Sequence, residues 1–211
     1  MSAPVLEGRY VRLAPLSAAH ARDVFRAVCN DGTFLRTSFM VEPPPRDESA
    51  REQWFLKKVA WEGRSYFACI DTRTGAANGF LAYMREEPVH RSVEVGDVLF
   101  GCGLQRTPAA TEAVYLSLRR AFETMNHRRV EWKCDTRNKA SYSAAVRFGF
   151  TFEGVFRQHM IVRGESRDSA WFSMLDSEWP ARKAAFEQWL RPENFDAAGA
   201  QRQPLAAFRL D

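Results

Sequence analysis

Residues 93–111 carry the strongest signal of the fold: Val93-Glu-Val-Gly-Asp-Val-Leu-Phe-Gly-Cys-Gly-Leu-Gln-Arg-Thr-Pro-Ala-Ala-Thr111. The first eight of them alternate between apolar and other side chains, which predicts a β-strand, and the alternation slips at Gly96-Asp97. A glycine at such a slip is typical of a β-bulge or of a close backbone approach. The following residues predict a turn and then a long helix, because an apolar stripe recurs at helical spacing from Val114 to Met125.

The junction between this turn and its helix has the chemistry of an anion site. The first amides of a helix have no partners within the helix, and the helix dipole favours a negative group beside them. Near these amides the sequence places a cation and several hydrogen-bond donors, on Gln105, Arg106, Thr107 and Thr111. A pyrophosphate would match this set. The alternative is purely structural, with Thr107 capping the helix and Pro108 in its first position, and the local sequence alone favours it.

Outside this stretch, strand and helix patterns alternate along the chain. The predicted strands are 8–15, 65–71, 78–85, 93–100, 129–135, 150–157 and 168–175, and the other predicted helices are 17–28, 47–61, 138–149 and 177–190. This order predicts a mixed α/β (α+β) fold with one mostly antiparallel sheet flanked by helices, and a parallel crossover through the helix after Thr111. We expect a single domain over residues 1–190 and a peripheral C-terminal tail over residues 191–211.

The composition limits the classes of protein that the chain could belong to. Of its 211 residues, 45% are hydrophobic and 27% are charged, which excludes wholesale disorder. The net charge of +4 is too small to argue for a nucleic-acid partner. No apolar run approaches the roughly 20 residues that span a bilayer, and the first residues lack the pattern of a secretory signal. We therefore expect a cytoplasmic protein with no membrane partner.

The cysteines and histidines give no sign of a metal site. The four cysteines lie far apart without a Cys-x-x-Cys pair, and the four histidines lack metal-ligand spacing. Cys134 alternates with Val130 and Trp132 on an apolar face, so we do not expect it to carry an acyl group. The sequence predicts free thiols and no metal ion.

Four segments in this order and spacing resemble the GNAT acetyltransferases, and in particular the RimJ/RimL-like branch that acetylates ribosomal-protein N-termini. They are Leu104-Gln-Arg-Thr-Pro-Ala-Ala-Thr-Glu-Ala113, Arg129-Val-Glu-Trp-Lys-Cys-Asp135, Asn138-Lys-Ala-Ser141 and Phe148-Gly-Phe-Thr-Phe-Glu-Gly154. The resemblance extends roughly from Leu6 to Glu178. It implies a six- to seven-stranded sheet whose fourth and fifth strands, Val93–Phe100 and Arg129–Asp135, splay apart around acetyl-CoA.

The resemblance also implies which residues bind acetyl-CoA. Three groups of positions match the family pattern: Val98, Leu99 and Phe100 for the pantetheine and thioester, Gln105, Arg106, Thr107, Ala109, Ala110 and Thr111 for the pyrophosphate, and Asn138 and Ser141 on the following helix. The chain departs from the pattern at Pro108, where the family has a glycine. Because proline has no N–H, one backbone donor is lost. Our hypothesis is that Arg106 and Thr107 replace it with side-chain contacts to phosphate.

The catalytic residues follow partly from the resemblance and partly from chemistry. Ser141 is expected to donate to the departing CoA thiolate, because Ala145 stands where many relatives have a tyrosine; Tyr142 is a weaker substitute. An amine must lose a proton before it attacks a thioester, which calls for a base. Glu94 is the first choice and Asp97 the second, because a bulge at Gly96 would turn both to one face. His159 and a water-relayed transfer without a dedicated base are alternatives, and Lys133 replaces a glutamate that certain relatives use.

The expected reaction moves an acetyl group from acetyl-CoA to a primary amine, either a protein N-terminus or a small molecule. The first two helices, the connector Pro43-Pro-Pro45 and the hairpin turn Arg163–Asp168 would shape the acceptor pocket. A non-catalytic module that senses acyl-CoA remains an alternative, because Pro108 and the missing tyrosine depart from the family. A homodimer through the C-terminal helix and exposed aromatic residues is also open.

Overall fold

The computed structural model describes residues 4–29 and 39–209. Its strands are Leu6–Glu7 (β1), Val11–Pro15 (β2), Arg64–Asp71 (β3), Ala77–Glu87 (β4), Ser92–Phe100 (β5), Arg129–Asp135 (β6), Thr151–Val162 (β7) and Glu165–Leu175 (β8). The α-helices in these residues are Ala21–Val28 (α1), Glu48–Val59 (α2), Pro108–Arg119 (α3), Lys139–Phe148 (α4) and Trp179–Trp189 (α5). None of the helices in the two described ranges is long and apolar enough to cross a membrane.

The eight strands form one sheet in the order β1-β2-β3-β4-β5-β6-β8-β7. The pairs β1–β2, β2–β3, β3–β4, β6–β8 and β7–β8 are antiparallel, and β5–β6 is parallel. The mostly antiparallel sheet flanked by helices and the parallel crossover are therefore confirmed. The strand total exceeds the expected six to seven because Leu6 and Glu7 fold back to pair with Leu13 and Arg12.

The parallel ladder between β5 and β6 lies at the start of both strands. It joins Ser92 to Arg129, Val93 to Val130 and Glu94 to Glu131. Strand β5 then runs on to Phe100 and β6 to Asp135. The ladder thus ends early in both strands.

The chain divides into two compact units, the first comprising residues 1–86 and 95–116 and the second residues 87–94 and 117–211. In the first unit, α1 and α2 pack on one face of the sheet around a core that includes Val24, Phe55, Phe80 and Leu99. The carboxylate of Asp47 caps α2 by accepting the Ser49 N–H at 3.1 Å. The apolar side chains of this core recur at helical spacing in the helices and at alternating spacing in the strands, which is why they meet in one core.

Helix α3 is fastened to the N-terminal strands of the first unit by one buried carboxylate. Glu112 accepts the backbone N–H groups of Arg9 at 2.8 Å, Tyr10 at 2.6 Å and Val11 at 2.9 Å. Its side chain is buried, and three donors satisfy the negative charge that burial would otherwise penalise. The chain reversal between β1 and β2 is thereby anchored one turn into α3.

In the second unit, α4 packs against β6 and β7. The Trp132 ring lies 6.0 Å from the Phe148 ring and 5.8 Å from the Phe150 ring, measured between centroids. Gly149 ends α4 with a φ of 89°, a conformation that favours glycine, as expected for the residue after the helix.

The residues that follow α5 pack against the rest of the second unit, whereas the sequence predicted a peripheral tail. Leu205 is buried, and the buried Asn194 side chain donates to the carbonyls of Trp189 at 3.1 Å and Gln203 at 3.2 Å. The Arg209 guanidinium donates to the carbonyl groups of Val146 and Arg147, near the end of α4.

Candidate active site

The junction between β5 and α3 is a capped helix start. Helix α3 begins at Pro108, and the Thr107 hydroxyl donates to the Leu104 carbonyl at 2.6 Å and accepts the Ala110 N–H at 3.3 Å. Thr107 therefore caps its own helix, which confirms the structural interpretation of this residue. Its hydroxyl hydrogen is directed at Leu104 in this arrangement. Arg106, just before the cap, has a φ of 61°.

The same junction retains groups that suit an anion. In the first turn of α3, Pro108 has no N–H and the Ala110 N–H is bonded to Thr107. The Ala109 N–H is therefore the amide of this turn that can face an anion. The Arg106 side chain is exposed and has no ion pair or hydrogen bond to another residue of the described chain. The Gln105 side chain donates to the Phe100 carbonyl, which ties the loop to the end of β5. An amide at the positive end of a helix and an unpaired guanidinium fit a phosphate group.

The buried face of this helix start carries the remaining loop residues. Ala109 and Ala110 are 8% exposed and Thr111 is 2% exposed. Thr111 is therefore buried where α3 packs and does not lie on the surface of the loop. Its expected contact with the pyrophosphate stays a prediction.

The left-handed residue of β5 lies one position after the predicted slip. Asp97, and not Gly96, has the positive φ, at 47°. We assigned the slip to glycine because glycine alone adopts this conformation without steric cost. In the structure, Lys58 of α2 and Tyr66 of β3 donate to the Asp97 side chain, and aspartate is among the residues that tolerate left-handed backbone best.

Strand β5 after Asp97 lies tightly against β4. Leu99 is buried, while Val98 and Phe100 are half-buried. A Cβ atom at Gly79 would lie 2.2 Å from the Leu99 carbonyl oxygen, so β4 requires a glycine there. Gly101 also donates to the Asn78 carbonyl at 2.8 Å. The backbone proposed to face the thioester is therefore held firmly on its β4 side.

Asp97 lies in a buried cluster of charged and hydroxyl groups. Its Oδ2 atom lies 2.7 Å from Lys58 Nζ, 2.5 Å from the Tyr66 hydroxyl and 3.7 Å from an Arg64 nitrogen. Burial and the adjacent carboxylate raise the pKa of Tyr66, so the phenol remains a neutral donor.

Glu94 has a different set of partners. Its side chain is buried, and Oε2 lies 3.1 Å from Lys133 Nζ. Lys133 also lies 2.7 Å from Glu131 and 3.6 Å from the centre of the Trp171 ring. Desolvation acts to raise the pKa of Glu131, but Lys133 and Arg129 outweigh it and the net shift is downward. Lys133 is thus a buried cation shared between two carboxylates.

Two of these residues, Lys58 and Lys133, are more important than the sequence suggested. Lys58 follows Trp54 by four residues, so it occupies the apolar stripe of α2. A lysine in such a stripe has to find a buried partner, and this signal could have identified it. Lys133 shares a face of β6 with Glu131, but its pairing with Glu94 depends on β5.

Ser141 and Asn138 form the start of α4. Asn138 Oδ1 accepts the Ser141 N–H at 3.1 Å, which confirms the predicted cap. The Ser141 hydroxyl accepts the Trp132 indole N–H at 3.0 Å and also hydrogen-bonds to the Cys134 side chain. Ala145 is fully buried, and the Tyr142 ring packs edge-on against Phe172 at 4.9 Å.

Neither Cys134 nor His159 has the surroundings of a reactive group. Burial raises the pKa of the Cys134 thiol, which disfavours the thiolate form. His159 Nδ1 lies 2.9 Å from the Ser169 hydroxyl, and its ring packs edge-on against Trp171 and Phe156. Within the described residues, no group of three or more His, Cys, Asp or Glu side chains is placed to hold a metal ion.

A groove of about 650 Å³ lies between α1 and α2 in the first unit. Its charged and larger apolar lining residues are Arg22, Phe25, Arg26, Cys29, Glu48, Arg51, Glu52, Phe55 and Leu56. Arg51 Nε donates to the Pro45 carbonyl at 3.4 Å, and Trp54 donates to the Glu42 carbonyl at 3.3 Å. The proline connector is thus anchored to α2, one of the elements expected to shape the acceptor pocket.

The sheet order and the crossover through α3 are those that the resemblance to the GNAT acetyltransferases predicts. A family model described as the acetyltransferase (GNAT) domain matches residues 11–151, and the chain belongs to this family. GNAT enzymes take their acetyl group from acetyl-CoA, so the expected cosubstrate is confirmed at the level of the family.

Comparison with solved structures agrees with this assignment. A GCN5-related N-acetyltransferase from Brucella melitensis is 45% identical, covers 98% of this chain and 94% of its own, and superposes with a TM-score of 0.95. A probable acetyltransferase of the GNAT family from Chromobacterium violaceum is 41% identical, covering 86% and 91%, with a TM-score of 0.79. A spermidine N-acetyltransferase from Vibrio cholerae is 18% identical, covering 82% and 98%, with a TM-score of 0.62, which shows likeness of fold alone. A search of curated proteins found no match.

Proposed function

We propose that this protein transfers the acetyl group of acetyl-CoA to a primary amine by direct attack within a ternary complex. Membership of the GNAT family supports acetyl transfer from acetyl-CoA. The observation that carries the proposal is the start of α3, where the exposed Arg106 lies three residues before Ala109 in the first turn of the helix. This is the position at which the family pattern has its diphosphate loop.

We assign cofactor binding to three groups of residues. They are Val98, Leu99 and Phe100 on β5, Gln105, Arg106, Thr107, Ala109, Ala110 and Thr111 in the loop and first turn of α3, and Asn138 and Ser141 at the start of α4. In this proposal Arg106 makes the strongest contact, because a guanidinium forms charge-assisted hydrogen bonds to phosphate. Thr107 contributes mainly by setting the direction of α3, since its hydroxyl hydrogen is directed at Leu104.

The chemical step requires a base for the amine and a donor for the leaving group. We propose Glu94 as the base, because its buried carboxylate lies on β5, the strand proposed to face the thioester, 3.1 Å from the Lys133 ammonium. The amine nitrogen then forms a C–N bond to the thioester carbon while the C–S bond breaks. The Leu99 N–H would stabilise the negative charge that develops on the carbonyl oxygen. The Ser141 hydroxyl would donate a hydrogen bond to the CoA thiolate as it leaves.

For the acceptor we propose a protein N-terminus or a small amine, in keeping with the RimJ/RimL-like resemblance. The groove between α1 and α2 carries three arginines and two glutamates, so a polar acceptor with both charge signs would suit it. The α-amino group of a peptide has a pKa near 8, which makes it easier to deprotonate than a lysine side chain.

The test is release of free CoA thiol from acetyl-CoA, measured with a panel of N-terminal peptides, amino acids and polyamines. We expect amine-dependent release with at least one class. Tight binding of acetyl-CoA without release for any amine would instead support the non-catalytic acyl-CoA module. The absence of both binding and release would contradict the proposal.

A further inference from the structure

Lys58 is a buried cation in the first unit. Its side chain is 1% exposed, and Nζ lies 4.8 Å from the centre of the Trp54 ring, 5.2 Å from Tyr66 and 5.7 Å from Phe80. Aromatic ring faces attract a cation, but a fully buried ammonium also requires an anion. Asp97 is that anion, at 2.7 Å.

The same carboxylate oxygen also accepts the Tyr66 hydroxyl at 2.5 Å. Arg64 in turn donates to the Tyr66 oxygen at 3.1 Å. Two neighbouring elements, α2 through Lys58 and β3 through Tyr66, therefore converge on one oxygen of Asp97. The position of this side chain is fixed from both elements.

Asp97 is also the residue whose backbone is in the left-handed region, with a φ of 47°. Residues with a Cβ atom adopt this region uncommonly, although aspartate tolerates it better than most. Gly96, which could adopt it freely, does not have a positive φ. The left-handed residue is therefore the one whose side chain is held by Lys58 and Tyr66, and Val98 and Leu99 follow it directly.

We propose that Lys58 and Tyr66 are positioning residues that hold the left-handed backbone at Asp97 and thereby orient the Val98 and Leu99 amides for catalysis. The inference rests on the proposed function, in which the Leu99 N–H stabilises the thioester oxygen during transfer. Asp97 then acts through the backbone and not as a base. On the β4 side of the same segment, the absence of a side chain at Gly79 leaves room for the Leu99 carbonyl oxygen.

The test compares Lys58→Met with Lys57→Met, a control on the adjacent and largely exposed lysine. Lys58→Met removes the nearer of the two cations beside the Asp97 carboxylate and leaves Arg64 at 3.7 Å. We expect kcat to fall at least tenfold, the KM for acetyl-CoA to change less than threefold, and amide hydrogen exchange at Val98 and Leu99 to rise at least tenfold relative to Phe67 in β3. Lys57→Met should leave all three quantities unchanged.

The double variant K58M/D97G separates positioning from base catalysis. Glycine adopts the positive φ without a side-chain clamp, so exchange at Val98 and Leu99 and kcat should return to within threefold of the wild type. Loss of kcat in the double variant with restored exchange would assign Asp97 to proton transfer and overturn the proposal. Unchanged exchange in Lys58→Met would also overturn it, whatever the activity. Amide exchange does not depend on turnover, so it tests the positioning role even if no amine is acetylated. Failure to acetylate any amine would contradict the proposed function and not the positioning role.

Discussion

Lys133 Nζ on β6 lies 3.1 Å from Glu94 Oε2 on β5, where the short parallel ladder between these strands ends. This contact pairs the proposed base with a buried cation that Glu131 shares at 2.7 Å. The two carboxylates therefore have one ammonium in common but different proposed roles, and this difference allows a matched comparison.

Glu94→Gln should lower kcat at least a hundredfold while leaving acetyl-CoA affinity within threefold, because general bases typically contribute 10²- to 10⁴-fold. Steady-state kinetics and calorimetric titration measure the two quantities. Glu131→Gln is the control, since it removes a carboxylate from the same ammonium. Equal losses of kcat in the two variants would show that pairing with Lys133, and not proton transfer to Glu94, accounts for the effect of Glu94→Gln.

Arg106→Ala should raise the dissociation constant of acetyl-CoA about tenfold, because a charge-assisted hydrogen bond to phosphate contributes about 1.5–3 kcal/mol and this one is solvent-exposed. The increase should shrink as salt is added. Arg73→Ala, at an exposed turn between β3 and β4, is the control for the loss of one positive charge. An unchanged constant for Arg106→Ala would remove this residue from the site.

Ser141→Ala should lower kcat by about tenfold, through loss of one hydrogen bond to the leaving thiolate. The deficit should shrink with an acetyl thioester of a less basic thiol, because such a thiolate needs less stabilisation. The variant also leaves the Trp132 indole N–H without its acceptor, so melting temperature is recorded alongside. Ser143→Ala, exposed on the same helix, is the control. A deficit independent of the leaving group would argue against the proposed role.

Glu112→Gln should lower the free energy of unfolding by about 2–3 kcal/mol, because a neutral amide cannot accept three N–H groups as a carboxylate does. Urea denaturation measures the change. The exposed Glu62→Gln should alter stability by less than about 0.5 kcal/mol. Equal stability of the two variants would contradict a stabilising role for the contacts with residues 9–11.

Glu153 should make stability fall in acid. Its hydrogen bonds to Arg129 lower its pKa to about 2, below the value of about 4.3 for an unfolded chain. The folded state therefore binds this proton less readily, so the stabilisation is complete above about pH 4.5 and is lost as pH falls through about 2. Because 38% of the side chain is exposed, we expect less than about 1 kcal/mol. Glu153→Gln should flatten this part of a pH–stability curve, and an unchanged slope would exclude the contribution.

The sequence predicted features that depend on neighbouring residues. The Thr107 cap, the Asn138 cap and the end of α4 at Gly149 each follow from residue types within one helical turn. Contacts between distant residues were not accessible in this way. Lys58 and Asp97 are 39 positions apart, and Glu112 lies 101 positions from Val11. A bulge was predicted at Gly96 because intrinsic preference favours glycine, whereas the left-handed residue is Asp97, whose side chain contacts α2 and β3.

The three amides held by Glu112 couple the N-terminal strands to the helix whose first turn is proposed to bind the diphosphate. By thermodynamic linkage, a ligand that stabilises the start of α3 also raises the free energy needed to detach β1 and β2. Acetyl-CoA should therefore protect the first fifteen residues from protease. The same linkage means that shortening the chain at its N-terminus weakens coenzyme affinity without removing a single contact to the coenzyme.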